Sequence, residues 1–381
     1  MKGRVQLFFW ALLIGILAMN FFSFSLFADE NEKSETAYQF SGHSLMSYFD
    51  GYNAGSAPLE MDQTWLTFQK DLSADPQKVD WGFQSDFLFG TSDASSYGDS
   101  TFDGDWTRSG GGYGFSFLNL YGSVGNKKCN LILGKFLTPL GYEMYSRAGF
   151  ELCSYNRLTF HEGLTHTGGL LQYQINDQWS AKFGIAMGDD VGFGNRYGDS
   201  QILCSVRWDP VEKISICYSG SWAHYHPEHD AAETARLAQA YDYTKIFGKT
   251  ASGETDFYKQ TVLVQIKLTD HLNFNTFTDY GSLEECRTNR QLYEDFGIGS
   301  YLIWQQNKQL RHALRFAWYR EEIREESAKG IDAVSYYEIS AGTTIQLKDH
   351  FMIRPELRYD YAFEEKRSEG FTLGTIFGVV F

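Results

Sequence analysis

From Phe351 to Phe363 the chain changes character at almost every step. Phe351, Ile353, Leu357, Tyr359, Tyr361 and Phe363 share one parity, while Arg354, Glu356, Arg358 and Asp360 share the other. Successive side chains of a β-strand point to opposite faces, so this stretch reads as a strand that is apolar on one side and charged on the other. The run from Phe371 to Phe381 repeats the arrangement, with Phe371, Leu373, Phe377, Val379 and Phe381 opposite Thr372, Gly374 and Gly378. Neither pattern suits a helix, whose apolar positions recur about every 3.6 residues. Both suit a strand with one face in an apolar medium and the other in water, which leaves a soluble sandwich or a barrel in a membrane.

The connections separate these two. Short polar links occur at 73–78, 125–128, 176–178, 209–213, 269–271, 305–309 and 348–350. Between them lie longer segments rich in Gly, Asp and Glu, at 91–112, 139–163, 188–200, 226–256, 281–295 and 321–332, with shorter ones at 52–60 and 364–370. Regular alternation of short and long connections predicts about sixteen antiparallel strands, with turns on one side and loops on the other. The expected fold is therefore all-β, a transmembrane up-and-down barrel over residues 38–381 with long extracellular loops and short periplasmic turns. One-sided strands in such number close more simply into one large barrel than into a sandwich.

Composition agrees with a barrel. Aromatic residues make up 17% of the chain, with 31 Phe, 24 Tyr and 9 Trp, and there are 37 Gly against 6 Pro. Barrels place aromatic girdles at both membrane boundaries, and a strand ladder that needs its N–H groups tolerates little proline. Past the N-terminal region no segment approaches the ~18 uninterrupted apolar residues of a membrane helix. The net charge of −15 argues against nucleic acid as a partner. The 5 cysteines, Cys129, Cys153, Cys204, Cys217 and Cys286, are odd in number and imply no complete disulfide framework.

At the N-terminus, Lys2 and Arg4 precede an apolar run from Val5 to Leu17, and Phe- and Ser-rich residues lead to Ala28 and then Asp29-Glu30. This reads as a secretory signal peptide over residues 1–28, with an uncleaved anchor helix as the alternative. Residues 29–37 would then be a short periplasmic lead into the barrel. A Phe381 that closes an alternating strand resembles the assembly signal of bacterial outer-membrane proteins. Outer-membrane lipid and the outer-membrane assembly machinery are the expected partners.

One region carries a more specific resemblance. Leu118-Asn119-Leu120-Tyr121, Val124-Gly125-Asn126, the stretch from Gly134 to Glu143, and Leu164-Thr165-His166-Thr167-Gly168 resemble motifs of the OmpL-like β-barrel porins of bacterial outer membranes. The resemblance implies a porin-like barrel in a Gram-negative outer membrane and brings no substrate with it.

Parity also sorts the faces. Lys182, Arg207, Lys259, Lys267, Arg311, Arg315, Glu338, Arg354, Glu356, Arg358 and Asp360 are expected to face the lumen, while Trp81, Phe83, Phe183, Ile185, Val262 and Phe316 meet lipid. A lumen lined by both signs of charge reads as a polar diffusion pore. The third long loop, 139–163, carries Glu143, Arg147, Glu151 and Arg157, and folded inward it would form a constriction whose opposed charges sort ions. An alternative is that this stretch simply ends a strand and anchors the loop. His166, at the loop's return, reads first as a hydrogen-bonded structural histidine.

The expected function is a porin for passive diffusion of small hydrophilic solutes or ions. The alternatives are a barrel whose loops act in adhesion or partner binding, and a barrel enzyme such as a lipid hydrolase. No nucleophile elbow, phosphate loop or zinc-protease helix motif stands out, so neither catalytic residues nor a cofactor is expected. His224, His226 and His229 lie close in sequence, but Pro227 and the start of a long loop argue against a preformed metal site. Whether the barrel forms a homo-oligomer stays open.

Overall fold

A computed structural model describes residues 38–51, 55–56, 59–73, 75–91, 104–105, 114–143, 146–156, 163–190, 192–193, 200–226, 254–288, 290–323, 332–348, 350–363 and 368–381. Sixteen long strands follow one another: β1 (Tyr38–Gly51), β2 (Glu60–Lys70), β3 (Asp80–Gly90), β4 (Gly114–Gly125), β5 (Cys129–Leu137), β6 (Thr165–Gln174), β7 (Trp179–Asp189) and β8 (Ser200–Val211), then β9 (Ile214–Tyr225), β10 (Thr255–Lys267), β11 (Leu272–Glu285), β12 (Arg290–Gln305), β13 (Leu310–Ile323), β14 (Asp332–Leu347), β15 (Phe351–Phe363) and β16 (Ser368–Val380). Two-residue extended segments at Gly55–Ser56 and Gly104–Asp105 pair beside β1 and β4. Each long strand pairs antiparallel with the next, and β16 returns to β1 in the register Ser44↔Val379. The amide of Gly42 donates to the Phe381 carbonyl at 2.8 Å and the Phe381 amide donates back at 2.9 Å, so the sheet closes without an open edge. No helix among the described residues is long and apolar enough to cross a membrane.

The periplasmic turns show why the sequence reverses where it does. In three of them an asparagine carboxamide oxygen accepts two following backbone amides: Asn126 from Lys128 and Cys129, Asn176 from Gln178 and Trp179, and Asn307 from Gln309 and Leu310, all at 2.8–3.0 Å. An Asn side chain that stands in for a backbone acceptor closes a tight turn without help from the rest of the fold.

The outer face is apolar as the alternation predicts: Trp81, Phe183, Ile185, Leu314, Phe316, Ile339, Phe371 and Leu373 are exposed. In a bilayer those side chains meet lipid. On the extracellular side two connections differ from the sequence expectation. The loop anticipated over 281–295 is mostly strand, with Glu285 pairing Arg290 across a short turn, and β13 and β14 likewise run on to pair Ile323 with Asp332. Gly, Asp and Glu there belong to hairpin ladders that continue beyond the apolar band, where polar side chains are suited to both faces.

The interior corrects a second expectation. It is not uniformly polar, because four apolar clusters lie inside the wall, centred on Phe277 and Tyr301, on Trp65 and Leu118, on Phe136 and Leu203, and on Leu45 and Ile376. Each takes in residues of the third long loop, from Leu140 through Phe150, Leu152 and Cys153 to Tyr155. The loop folds into the barrel, and inward apolar side chains are covered by it rather than by water.

Candidate functional site

The third loop, which connects β5 to β6, is held by charged groups of the wall. Arg315 of β13 has a side chain that is 0% exposed, and it reaches two separate points of the loop. Its guanidinium donates to Glu143 at 3.2 Å, to the Ser154 carbonyl at 2.7 Å and to the Ser154 hydroxyl at 2.8 Å, and it also bonds Glu338. Glu356 of β15 accepts the backbone amides of Cys153 at 2.5 Å and Ser154 at 2.8 Å and the Ser154 hydroxyl at 2.6 Å. Arg354 donates to the carbonyls of Arg147, Ala148 and Leu152, and Arg358 to that of Tyr155 at 2.7 Å. A loop backbone taken out of water must find partners for its carbonyls and amides, and these inward arginines and glutamates provide them.

The loop's own charges are similarly engaged. Glu143 accepts from the Tyr301 hydroxyl and from the Asn156 amide at 2.8 Å. Arg147 donates to Asp62 of β2 at 2.7 Å, its amide donates to Gln63 at 3.1 Å, and its guanidinium lies 4.5 Å from the Tyr155 ring centroid. Glu151, in the loop and outside the strands, is buried enough that its carboxyl is pushed above the ordinary carboxylate range, against the attraction of Arg311 and Arg354. Arg157 lies outside the described residues.

Two glycines make room for the loop. A Cβ on Gly342 of β14 would stand 2.6 Å from the Leu152 side chain, and one on Gly299 of β12 would stand 2.5 Å from the Phe277 ring and 2.9 Å from the Asn156 amide nitrogen. At the loop's base, His166 is buried between Gln201 and Thr138, with a 2.9 Å hydrogen bond at each ring nitrogen. Gln201 in turn donates to Asp189 at 2.7 Å, and the Tyr225 hydroxyl donates to the same carboxylate at 2.8 Å. The motif Leu164-Thr165-His166-Thr167-Gly168 is thus a brace that fixes where the loop leaves the wall.

The sequence matches, over residues 28–379, the family described as "Putative beta-barrel porin-2, OmpL-like". The chain belongs to that family. It is an outer-membrane porin, and its closed sixteen-strand barrel is the matching architecture. No curated protein matches it. Solved structures similar in fold include an anion-selective porin from Comamonas acidovorans, at 11% identity and TM-score 0.61, covering 91% of this chain and 100% of that one. The outer membrane channel DcaP of Acinetobacter baumannii matches at 12% identity and TM-score 0.58, over 93% and 100% of the two chains. The trimer form of OmpT, an outer membrane protein of Vibrio cholerae, matches at 8% and 0.59, over 91% and 99%. At these identities the likeness is one of fold.

Beside this network, a polar space of about 850 Å³ inside the porin opens toward the periplasmic turns, bounded on one side by Tyr142, Phe150 and Glu151 of the loop. Arg207, Lys213, Lys267 and Arg311 face it together with Glu151 and Asp209. Here charges pair with near neighbours on the surface: Arg207 with Asp209 and Lys267 with Asp270, both at 3.0 Å. Of the lumen-facing charges expected from parity, Arg315, Glu338, Arg354, Glu356 and Arg358 meet in the network beneath the loop, with Asp360 bound to Arg358 at 2.7 Å. Lys182 and Lys259 stand apart from it on β7 and β10. Asp62, Gln63, Tyr301, Ser154 and Asn156 were not foreseen, because uncharged or isolated residues in two-sided strands carry no signal that a loop will reach them.

Proposed function

We propose that this porin is a passive diffusion channel for small hydrophilic solutes and ions, without catalytic activity, and that the loop pinned inside the barrel sets the width and charge of the passage. The observation that supports this most is Arg315, a buried cation tied at once to Glu143 near the start of the loop and to Ser154 in its second half. In this reading Glu143 and Arg147 are fasteners rather than the two sides of a transverse field, since each is neutralised by a wall partner. The charges that meet passing ions are those on the polar space, Glu151 and Arg311 across from Arg207 and Lys267. Single-channel recording in planar bilayers tests the proposal: the purified barrel should give ohmic, stable conductance, and a folded barrel that conducts nothing would refute it.

Self-association belongs to the same proposal. An apolar groove of about 760 Å³ on the membrane face, lined by Leu302, Trp304, Leu314, Ala341, Leu357 and Leu373, offers a seat for a second copy. Cross-linking in isolated outer membranes should yield a discrete oligomer that a bulky charged residue at Ala341 disperses.

A further inference from the structure

At the extracellular ends of β9, β10 and β11 the barrel's outer face carries a compact group of metal-ligating side chains that the channel does not use. His224 pairs in register with Asp256, and its Nδ1 lies 2.8 Å from the Asp256 carboxylate. The Cys286 sulfur is 3.9 Å from the same nitrogen, and one donor atom each from His224, Asp256 and Cys286 lies within 4.8 Å of the others. His224, His226 and Glu254 form a second such trio, so two sets of donors share one imidazole. The Cys286 amide donates to the Glu254 carbonyl at 3.0 Å, which fixes β11 against β10 where the two sets meet.

The placement is specific. His224 and Asp256 share the outward parity of their strands, one step beyond Trp222 and Tyr258, whose aromatic side chains mark the membrane boundary, and Cys286, just past β11, keeps the outward parity of Tyr280 and Glu284. His224 and Asp256 are about three-quarters covered, with side chains 26% and 24% exposed, so ladder pairing holds the donors before any ion arrives. Sequence spacing offered only His224, His226 and His229, and a loop that begins at Pro227. Strand register replaces His229, which lies outside the described residues, with Asp256, Glu254 and Cys286 from two neighbouring strands.

We propose that this cluster binds one divalent cation of the zinc class, through the Cys286 sulfur, the His224 imidazole and the Asp256 carboxylate, with water completing the shell. A donor set of sulfur, nitrogen and oxygen selects a borderline metal and disfavours calcium and magnesium, which take oxygen cages. Binding forms a metal–sulfur bond and releases the Cys286 thiol proton to solvent, so uptake weakens as pH falls. The ion would tie three adjacent strands at the base of the 227–253 connection, independently of the pore.

The test uses the full mature barrel, untagged and in detergent, with zinc or cobalt chloride alone. One equivalent of cobalt should produce a sulfur-to-metal charge-transfer absorption that one equivalent of zinc displaces and that excess magnesium does not. Cys286→Ser should abolish that absorption, and His224→Ala should weaken zinc binding at least about tenfold, while both variants keep the heat-modifiable mobility of a closed barrel. A readout without substitutions is the alkylation rate of Cys286 by mass spectrometry, which zinc should slow while the exposed Cys129 of the same molecule reacts unchanged. Absence of charge transfer in the unaltered protein, its persistence in Cys286→Ser, or equal alkylation of Cys286 with and without zinc would each overturn the site.

Discussion

Two parts of the barrel interior use the same residue types to opposite ends. On β13 to β15, Arg315, Arg354, Glu338 and Glu356 are buried beneath the third loop and hold its backbone. On β8 and β10, Arg207 and Lys267 are solvated and paired only with acids two or three positions away. The difference lies in what stands across from each strand: a backbone segment in one case, water in the other. An inward charge in a wide barrel therefore has no fixed role, and its burial decides whether it fastens structure or acts on ions.

The largest effect is expected at Arg315. Replacing it with Met leaves Glu143, Glu338 and Glu356 buried without their shared cation, a loss of about 3–5 kcal/mol for a broken buried pair. The expected outcome is a loop released from the wall, read as higher or noisier single-channel conductance and new protease cuts between Glu143 and Ser154. Unchanged conductance and protease resistance would show that Glu356, Arg354 and Asp62 hold the loop without Arg315.

A smaller effect is expected at the glycine seat. Gly342→Leu collides with Leu152 and should cost about 1–3 kcal/mol, the range for overpacking a fitted site. Gly122→Ala is the control, because nothing lies within 4 Å of a Cβ there. Melting temperatures of the two variants should part clearly, and equal melting would remove the seat from the account.

On the solvated side the prediction reverses, with little change in stability and a measurable change in selectivity. Neutralising Arg207 and Lys267 to Gln should alter stability by no more than about 0.5 kcal/mol. It should move the reversal potential in a salt gradient toward cations, an effect that shrinks as ionic strength rises. Arg147→Gln should do the opposite, lowering stability with little change in reversal potential. If both variants shift selectivity alike, the distinction between the two walls fails.

The smallest expected effect is a pH dependence. Because burial raises the Glu151 carboxyl, it takes up its proton at a higher pH than an ordinary glutamate, and mild acidification removes one negative charge from the polar space. Selectivity should drift toward anions as pH falls, and Glu151→Gln should abolish the drift. A drift of equal size in that variant would assign it to another group.

The barrel was legible in the sequence wherever one face met lipid and the other water, as in β15 and β16. It was faint at 40–52 and 64–72, and the structure supplies the reason: Leu45, Phe49 and Trp65 point inward beneath the loop, so apolar residues occupy both faces and the two-residue period fades. Loss of alternation in a strand whose neighbours keep it is a sign that something covers the inner face. The loop's entry could be suspected from its length and charge. Its partners could not, since Arg315 and Glu356 look in sequence like any other lumen charge, and strand register alone brings His224, Asp256 and Cys286 together.

Arg315 holds the loop at Glu143 and again at Ser154, while Glu356, Arg354, Asp62 and Gln63 fasten it at separate points around and between them. The loop is sewn to the wall as a seam is, by many stitches. If thermal motion frees one guanidinium, a short stretch lifts and the remaining stitches keep the rest in place. Such a channel would show small, graded fluctuations about one conductance level instead of switching between widely separated ones.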